Sequence, residues 1–128
     1  MQEAIFILYV KDQWRSARFY KELLQLEPRL HEPGMTEFSL PCGGILGLIP
    51  SQGIKNLLGD KMPDPTLSSH VPRAELYLLV EPAKEYHFRA LALGGIEISP
   101  TKDRPWGHRA SYCLDPDGHV LAFAEKIQ

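Results

Sequence analysis

Residues 4–10, Ala-Ile-Phe-Ile-Leu-Tyr-Val, form an unbroken apolar run rich in β-branched and aromatic side chains, which predicts a strand. Asp12 follows where a helix N-cap belongs. Over 13–26 the apolar residues Trp14, Ala17, Phe19, Tyr20, Leu23 and Leu24 return at intervals of three and four, as in a helix lying on a sheet. That helix ends before Pro28, and two strands, 35–40 and 44–49, are predicted about Pro41-Cys42-Gly43. The pattern then begins again. A strand over 74–80 leads through Glu81-Pro82 into a helix over 83–93, with proline at the helix start and Gly94-Gly95 at its end. A hairpin of 108–114 with 118–126, turning at Asp115-Pro116-Asp117-Gly118, closes the series.

The chain is thus written twice. Val10 corresponds to Val80 and Leu23 to Leu93, an offset of 70, and the hairpins correspond at a slightly longer offset of 74. The prediction is one α+β domain over 1–128, built of two tandem βαβββ units whose curved mixed sheet encloses a cleft. The first unit takes 1–49, the second 73–128, and 50–72, with Gly53, Gly59, Pro63, Pro65 and Pro72, is the linker, with one helical turn over Ile54 to Leu58. Strand alternation sends Phe6, Leu8, Val10, Leu76, Leu78 and Val80 toward the helices. Ile5, Ile7, Tyr9, Glu75, Tyr77 and Leu79 then face the cleft. If Pro116-Asp117 is a two-residue turn, Ser111 pairs with Ala122 and Arg109 with Ala124, so Arg109, Ser111, Cys113 and Val120 share the cleft side with Ala122. The same reading about Cys42-Gly43 pairs Glu37 with Leu48 and Ser39 with Leu46; one bulge in either hairpin reverses these faces.

Composition narrows the classes of function. With 128 residues, 44% of them apolar, the chain can bury a core without disulfides. Cys42 and Cys113 read as reduced thiols, no secretory leader is expected, and a cytoplasmic location follows. No apolar run reaches the roughly 20 residues that cross a bilayer. A formal charge of -2 with scattered Lys and Arg gives no reason to expect nucleic acid as a partner.

The paired units, with Trp106-Gly107-His108-Arg109 running into Asp115-Pro116-Asp117-Gly118-His119, resemble the vicinal oxygen chelate superfamily: glyoxalase I, extradiol dioxygenases, and fosfomycin- and bleomycin-resistance proteins. The resemblance spans essentially the whole chain and implies the fold more specifically than the activity. Its enzymes hold a divalent metal with His and Glu from the first and last strand of each unit. Carried over by motif, those positions are Ile5, Leu48, Glu75 and Ala122, where one carboxylate stands among three hydrocarbons. No metal or other cofactor is therefore expected. The run Pro105-Trp106-Gly107-x-Arg109 is similar to the metal-free bleomycin-resistance members, and the resemblance implies a homodimer that binds a small molecule without altering it.

The candidate ligand-binding residues are Tyr9, Glu37, Leu48, Tyr77, Trp106, Arg109, Ser111 and Ala122. Trp106 offers a flat face for stacking or caps the edge of the core. Arg109 grips an acidic or carbonyl group or pairs with Glu75 or Glu37. Tyr9 and Tyr77 present phenols or merely pack, and Cys113 reads as an inert packed thiol. Glu75 and His108 are the catalytic candidates. The main functional expectation is a metal-free binder of an antibiotic-like compound or metabolite. The alternatives are a metal-dependent lyase or dioxygenase of the glyoxalase type, a metal-free isomerase using Glu75 or His108 as base, and an interaction module with a vestigial cleft.

Overall fold

A computed structural model describes all 128 residues. The elements run β1 (Ile5–Val10), α1 (Gln13–Leu24), β2 (Leu30–Glu32), β3 (Met35–Ser39), β4 (Ile45–Pro50), α2 (Ser51–Leu58), two 3-10 turns (Gly59–Lys61 and Pro65–Ser68), β5 (Glu75–Leu79), α3 (Ala83–Ala92), β6 (Ile96–Asp103), β7 (His108–Leu114) and β8 (Val120–Lys126). They fall into two compact units, Met1–Leu67 and Ser68–Gln128. Each unit is a four-stranded mixed sheet, ordered β1-β4-β3-β2 and β5-β8-β7-β6, with its first strand parallel to its last. The fold is α+β, made of two tandem βαβββ units. No helix is long and apolar enough to cross a membrane.

In the first unit, Asp12 caps α1 by accepting hydrogen bonds from the Trp14 and Arg15 amides, both at 3.1 Å. The helix lies on β3 and β4 and buries Ala17, Phe19, Tyr20 and Leu23 with Phe38, Leu46 and Leu48 of the sheet. A fully buried Leu or Phe contributes about 1.5–3 kcal/mol, so this interface supplies most of the unit's stabilisation. Gln13, which the apolar pattern passes over, is buried too. Its amide donates to Thr36 Oγ1 at 2.9 Å and Glu32 O at 2.8 Å and accepts from Gly34 N at 2.9 Å, tying the helix start to the β2–β3 turn. The segment expected to be a linker is largely structured: α2 packs on β4 and β1, buries Ile54, and belongs to the first unit.

In the second unit α3 covers the sheet, with Tyr86 against Phe123 at 6.0 Å between ring centroids. Its first amide, that of Ala83, donates to Glu125 Oε2 at 3.0 Å. At the other end Gly94 takes φ +103°; its amide reaches Leu91 O and that of Gly95 reaches Ala90 O, satisfying two orphan carbonyls. A Cβ on Gly95 would sit 2.8 Å from Ala90 O, so this end of the helix admits no side chain there.

Both later hairpins differ from the sequence expectation in the same way. Leu40 N donates to Gly44 O and Asp115 N to His119 O, so each loop has three residues, Pro41-Cys42-Gly43 and Pro116-Asp117-Gly118. The third is a left-handed glycine, Gly43 at φ +103° and Gly118 at φ +86°. The extra loop residue shifts each register by one. Glu37 pairs with Gly47 and Thr36 with Leu48; Tyr112 pairs with Ala122 and Ser111 with Phe123. Buried Asp115 holds the second turn closed by accepting from Asp117 N at 2.9 Å and His119 N at 2.8 Å.

The second turn is also roofed. A Cβ on Gly118 would come 2.6 Å from His70 Cα, whereas one on Gly43 meets nothing within 4 Å. Gly43→Ala should therefore carry only the left-handed cost of about 1–2 kcal/mol. Gly118→Ala should lose clearly more, because the backbone at His70 must move. Urea unfolding of the two variants beside the wild type checks the ranking, and equal losses would contradict it.

Candidate functional site

The corrected registers decide which side chains share a face. Thr36 bonds to Gln13 of α1, and Phe123 packs on Tyr86 of α3, so the rows containing Thr36 and Phe123 face the helices. Leu48, expected at the ligand, pairs with Thr36 and is fully buried under α1. Ser111 pairs with Phe123 and is fully buried beneath α3, its hydroxyl without a partner. Cys113, two residues on, lies in the same buried row. Arg109 follows their parity and donates from Nε to Asp103 Oδ1 at 2.7 Å, the bond that raises its pKa, so its ion-pair partner is Asp103. The physical reason for all four corrections is the third loop residue. It flips one strand of each hairpin relative to the other: β4 against β3 in the first unit and β7 against β8 in the second.

On the opposite face of the second unit, Tyr77, Ala122 and Tyr112 form one cross-strand row. Glu75, Leu79, His108, Ala110, Val120 and Ala124 share that face by alternation. Ala122, expected at the ligand, is fully buried between the two tyrosines, which are themselves part-exposed. Trp106, half exposed on the loop before β7, donates from Nε1 to Tyr77 Oη at 2.8 Å. Tyr77 Oη is also 2.7 Å from His108 Nδ1, with the rings 5.7 Å apart and tilted by 35°. Three candidates named separately from the sequence thus form one hydrogen-bonded chain: Trp106, Tyr77, His108.

Tyr112 is the member the sequence reading missed, because the two-residue turn sent it to the helix side. Burial pushes its phenol pKa up, and Glu75 and Tyr77 push the same way. The Arg104 guanidinium stands 5.1 Å over its ring. Arg104 is itself fixed, donating to Ser99 Oγ at 2.8 Å and to the carbonyls of Ala110 and Pro100.

The corresponding row of the first unit is Ile7, Gly47 and Glu37. A Cβ on Gly47 would meet Ile7 Cγ1 at 3.1 Å, Ile5 Cγ2 at 3.2 Å and Met35 Cε at 3.3 Å, so hydrocarbon already covers that position. Tyr9 lies on the same face by alternation. Glu37 is nearly buried and accepts from Arg29 Nε at 2.8 Å; Arg29 also grips Glu3 at 2.7 and 3.1 Å. The hydrogen bond to Glu3 and then that to Glu37 raise the Arg29 pKa, and the guanidinium draws the exposed Glu3 carboxyl below its usual range. Glu37 is a structural ion-pair partner.

Residues 4–123 match the Glyoxalase/Bleomycin resistance protein/Dioxygenase superfamily. The chain belongs to that superfamily. A glyoxalase-related enzyme from Fulvimarina pelagi is 26% identical, with a TM-score of 0.80 over 98% of this chain and 88% of the other. A glyoxalase/bleomycin resistance protein/dioxygenase from Nocardioides is 24% identical, with a TM-score of 0.74 over 98% and 83%. A glyoxalase/bleomycin resistance protein/dioxygenase family enzyme from Burkholderia phytofirmans PsJN shares 11% identity at a TM-score of 0.77, over 97% and 98%. The last two likenesses carry the fold alone. No curated protein matches the sequence.

The superfamily's metal positions were placed at Ile5, Leu48, Glu75 and Ala122. The register replaces Leu48 by Gly47, the counterpart of Ala122. The set remains a single carboxylate among groups without donor atoms, and no group of three or more His, Cys, Asp or Glu able to hold a metal ion occurs. The residues present do not fit a divalent ion. Of the other histidines, His87 is buried with Nε2 2.8 Å from Glu97 Oε1, and His70 lies against Gly118, so neither joins Tyr77.

Cys113 is chemically quiet for the same reason it is buried. Desolvation first, then Asp115 and Glu97, push its thiol pKa to about 12. Cys42 is exposed. A native thiol titration at pH 8 should therefore report one fast group, with the second appearing only on unfolding; two fast groups would contradict the register. A raised folded pKa gives stability that is intact below the ordinary thiol value of 9.0 and lost as pH climbs toward about 12.

Proposed function

We propose that the protein is a metal-free small-molecule binder of the superfamily, taking a flat ligand on the aromatic face of its second unit. The observation that carries this reading is the chain Trp106–Tyr77–His108 beside the row Tyr77–Ala122–Tyr112. An indole half exposed on a loop and two part-exposed phenols provide stacking area with few rotamers to freeze. Polar groups at fixed positions give orientation. In the first unit's equivalent row Ile5, Ile7 and Met35 cover Gly47, and its polar member, Glu37, is committed to Arg29. The ligand is an antibiotic-like compound or a metabolite with a planar conjugated part.

A metal-dependent lyase or dioxygenase would need a donor set that these positions do not supply. Glu75 is on the binding face and remains a contact for a ligand donor. The protein is also proposed to act as a homodimer, because β1 is an edge strand of six apolar residues with Phe6, expected under the helix, about two-thirds exposed. Reduced Cys42 and Cys113 accord with a cytoplasmic setting.

Thermal melts with benzoylformate and 2-naphthoate test the site. Either compound at about a hundred times its Kd should raise the stability of the wild type by about 2.7 kcal/mol, and Trp106→Ala should lose most of that gain. Metal analysis of the same sample is expected to find no stoichiometric Zn, Ni, Mn or Fe; a full equivalent of any would overturn the metal-free reading. Sedimentation should give twice the 14.5 kDa chain mass.

A further inference from the structure

The first unit has a cavity of its own. Trp14, Arg18 and Lys21 recur at intervals of four and three, so they form one stripe along α1. The chain after the helix runs back beside that stripe, and Glu27, Pro28 and His31 complete a cavity of about 310 Å³. Pockets that hold small molecules measure roughly 300 to 1,000 Å³, so this one has room for a single ring and one acid group. Its β2 wall is held from behind. Glu32 O needs a donor and Gly34 N an acceptor, which fixes the orientation of the Gln13 amide and sends its second Nε2 proton to Thr36 Oγ1. The Thr36 hydroxyl is fully buried, and its own proton has one acceptor, His31 Nδ1 at 2.9 Å. The neutral His31 ring then carries its proton on Nε2, on the side away from Thr36, where no group of the protein accepts it. Trp14 meets the same ring edge to face, with centroids 4.8 Å apart and planes at 88°. On the helix wall the Arg18 guanidinium makes no hydrogen bond or ion pair. The Lys21 ammonium is paired with Glu27 at 3.4 Å, and both of these side chains are half or more exposed. Two permanent cations against one carboxylate leave the walls net positive.

We propose that this cavity binds the phosphate group of a small ring-bearing phosphate monoester, with the ring against Trp14. The Arg18 fork, the Lys21 ammonium and His31 Nε2–H are three separate donor groups lining one cavity. Three donor groups match the three terminal oxygens of a phosphate monoester, whereas a carboxylate has two oxygens to offer. Two of the donors are permanently charged, so their bonds to the anion are of the strong, charge-assisted kind. Trp14 supplies flat apolar area for the ring. Glu27 is the built-in competitor: the phosphate takes its place at Lys21, and the exposed carboxylate turns into water at small cost. The site binds without making or breaking a bond, and it does not depend on the aromatic face of the second unit.

The test is a calorimetric titration of the full-length protein with phenyl phosphate, joined to NMR mapping of the signals that the ligand shifts. The shifts should centre on Trp14, Arg18 and His31. Arg18→Gln should weaken binding about tenfold, the share of a charge-assisted hydrogen bond. Glu27→Gln should tighten it about threefold, the share of a surface ion pair that no longer competes, and a merely structural glutamate would give no such gain. Both side chains are exposed, so neither substitution removes a buried contact. Inorganic phosphate, which lacks the ring, should bind about tenfold more weakly. Absence of binding, an affinity unchanged in Arg18→Gln, or shifts centred on Tyr77, Trp106 and Tyr112 overturns the site. Benzoate binding as tightly as phenyl phosphate overturns the assignment to phosphate, and inorganic phosphate doing so overturns the role of the ring. None of these results bears on the metal-free reading of the second unit's face, which its own titrations decide.

Discussion

Two left-handed glycines, Gly43 and Gly118, are the constraint on which the rest of the molecule depends. Each stands third in a three-residue loop, where an L side chain would be strained, and each fixes the register of the hairpin it closes. The two residues are 75 positions apart, and the paired rows they set are also 75 apart: Glu37 with Gly47, Tyr112 with Ala122. One residue fewer in either loop would turn Phe38 or Phe123 away from its helix. The core and the face proposed to bind a ligand are therefore consequences of the same local geometry.

The duplicated scaffold has been used unequally. In the first unit the row opposite the helix is aliphatic around Gly47, and its carboxylate, Glu37, is committed to Arg29. In the second unit the equivalent row carries two phenols, with an indole and an imidazole joined to one of them. Neither set offers the several converging donors that a divalent cation requires.

Much of this was legible in the sequence because its signals are local. The strand at 4–10, the capped helix after Asp12 and the restart at 74–80 all follow from short-range periodicity, and comparing the halves exposed the repeat. The site was legible residue by residue: Tyr77, Trp106 and His108 were named, but their bonding depends on where β5 and the loop before β7 meet. Two strands were missed. The three-residue β2 is too short to show alternation, and β6 carries Pro100 and register shifts, which its place at the sheet edge tolerates. The faces of Leu48, Arg109 and Ser111 were misread because the loops Pro41-Cys42-Gly43 and Pro116-Asp117-Gly118 can each count as two or three residues, and only the αL glycine at the end decides which. His70 was assigned to the linker, and its fit over Gly118 joins residues far apart in the chain.

The most direct test of the account is the pairing of β7 with β8 in solution. In NMR spectra of the labelled protein, the Hα atoms of Tyr112 and Ala122 should show a strong cross-strand contact, because Asp115 and His119 form a hydrogen-bonded pair and the pair three steps on is non-hydrogen-bonded. That result places both tyrosines on the face that carries Trp106 and His108. A strong contact of Ala122 with Ser111 instead would move the tyrosine row apart and contradict the proposed binding face.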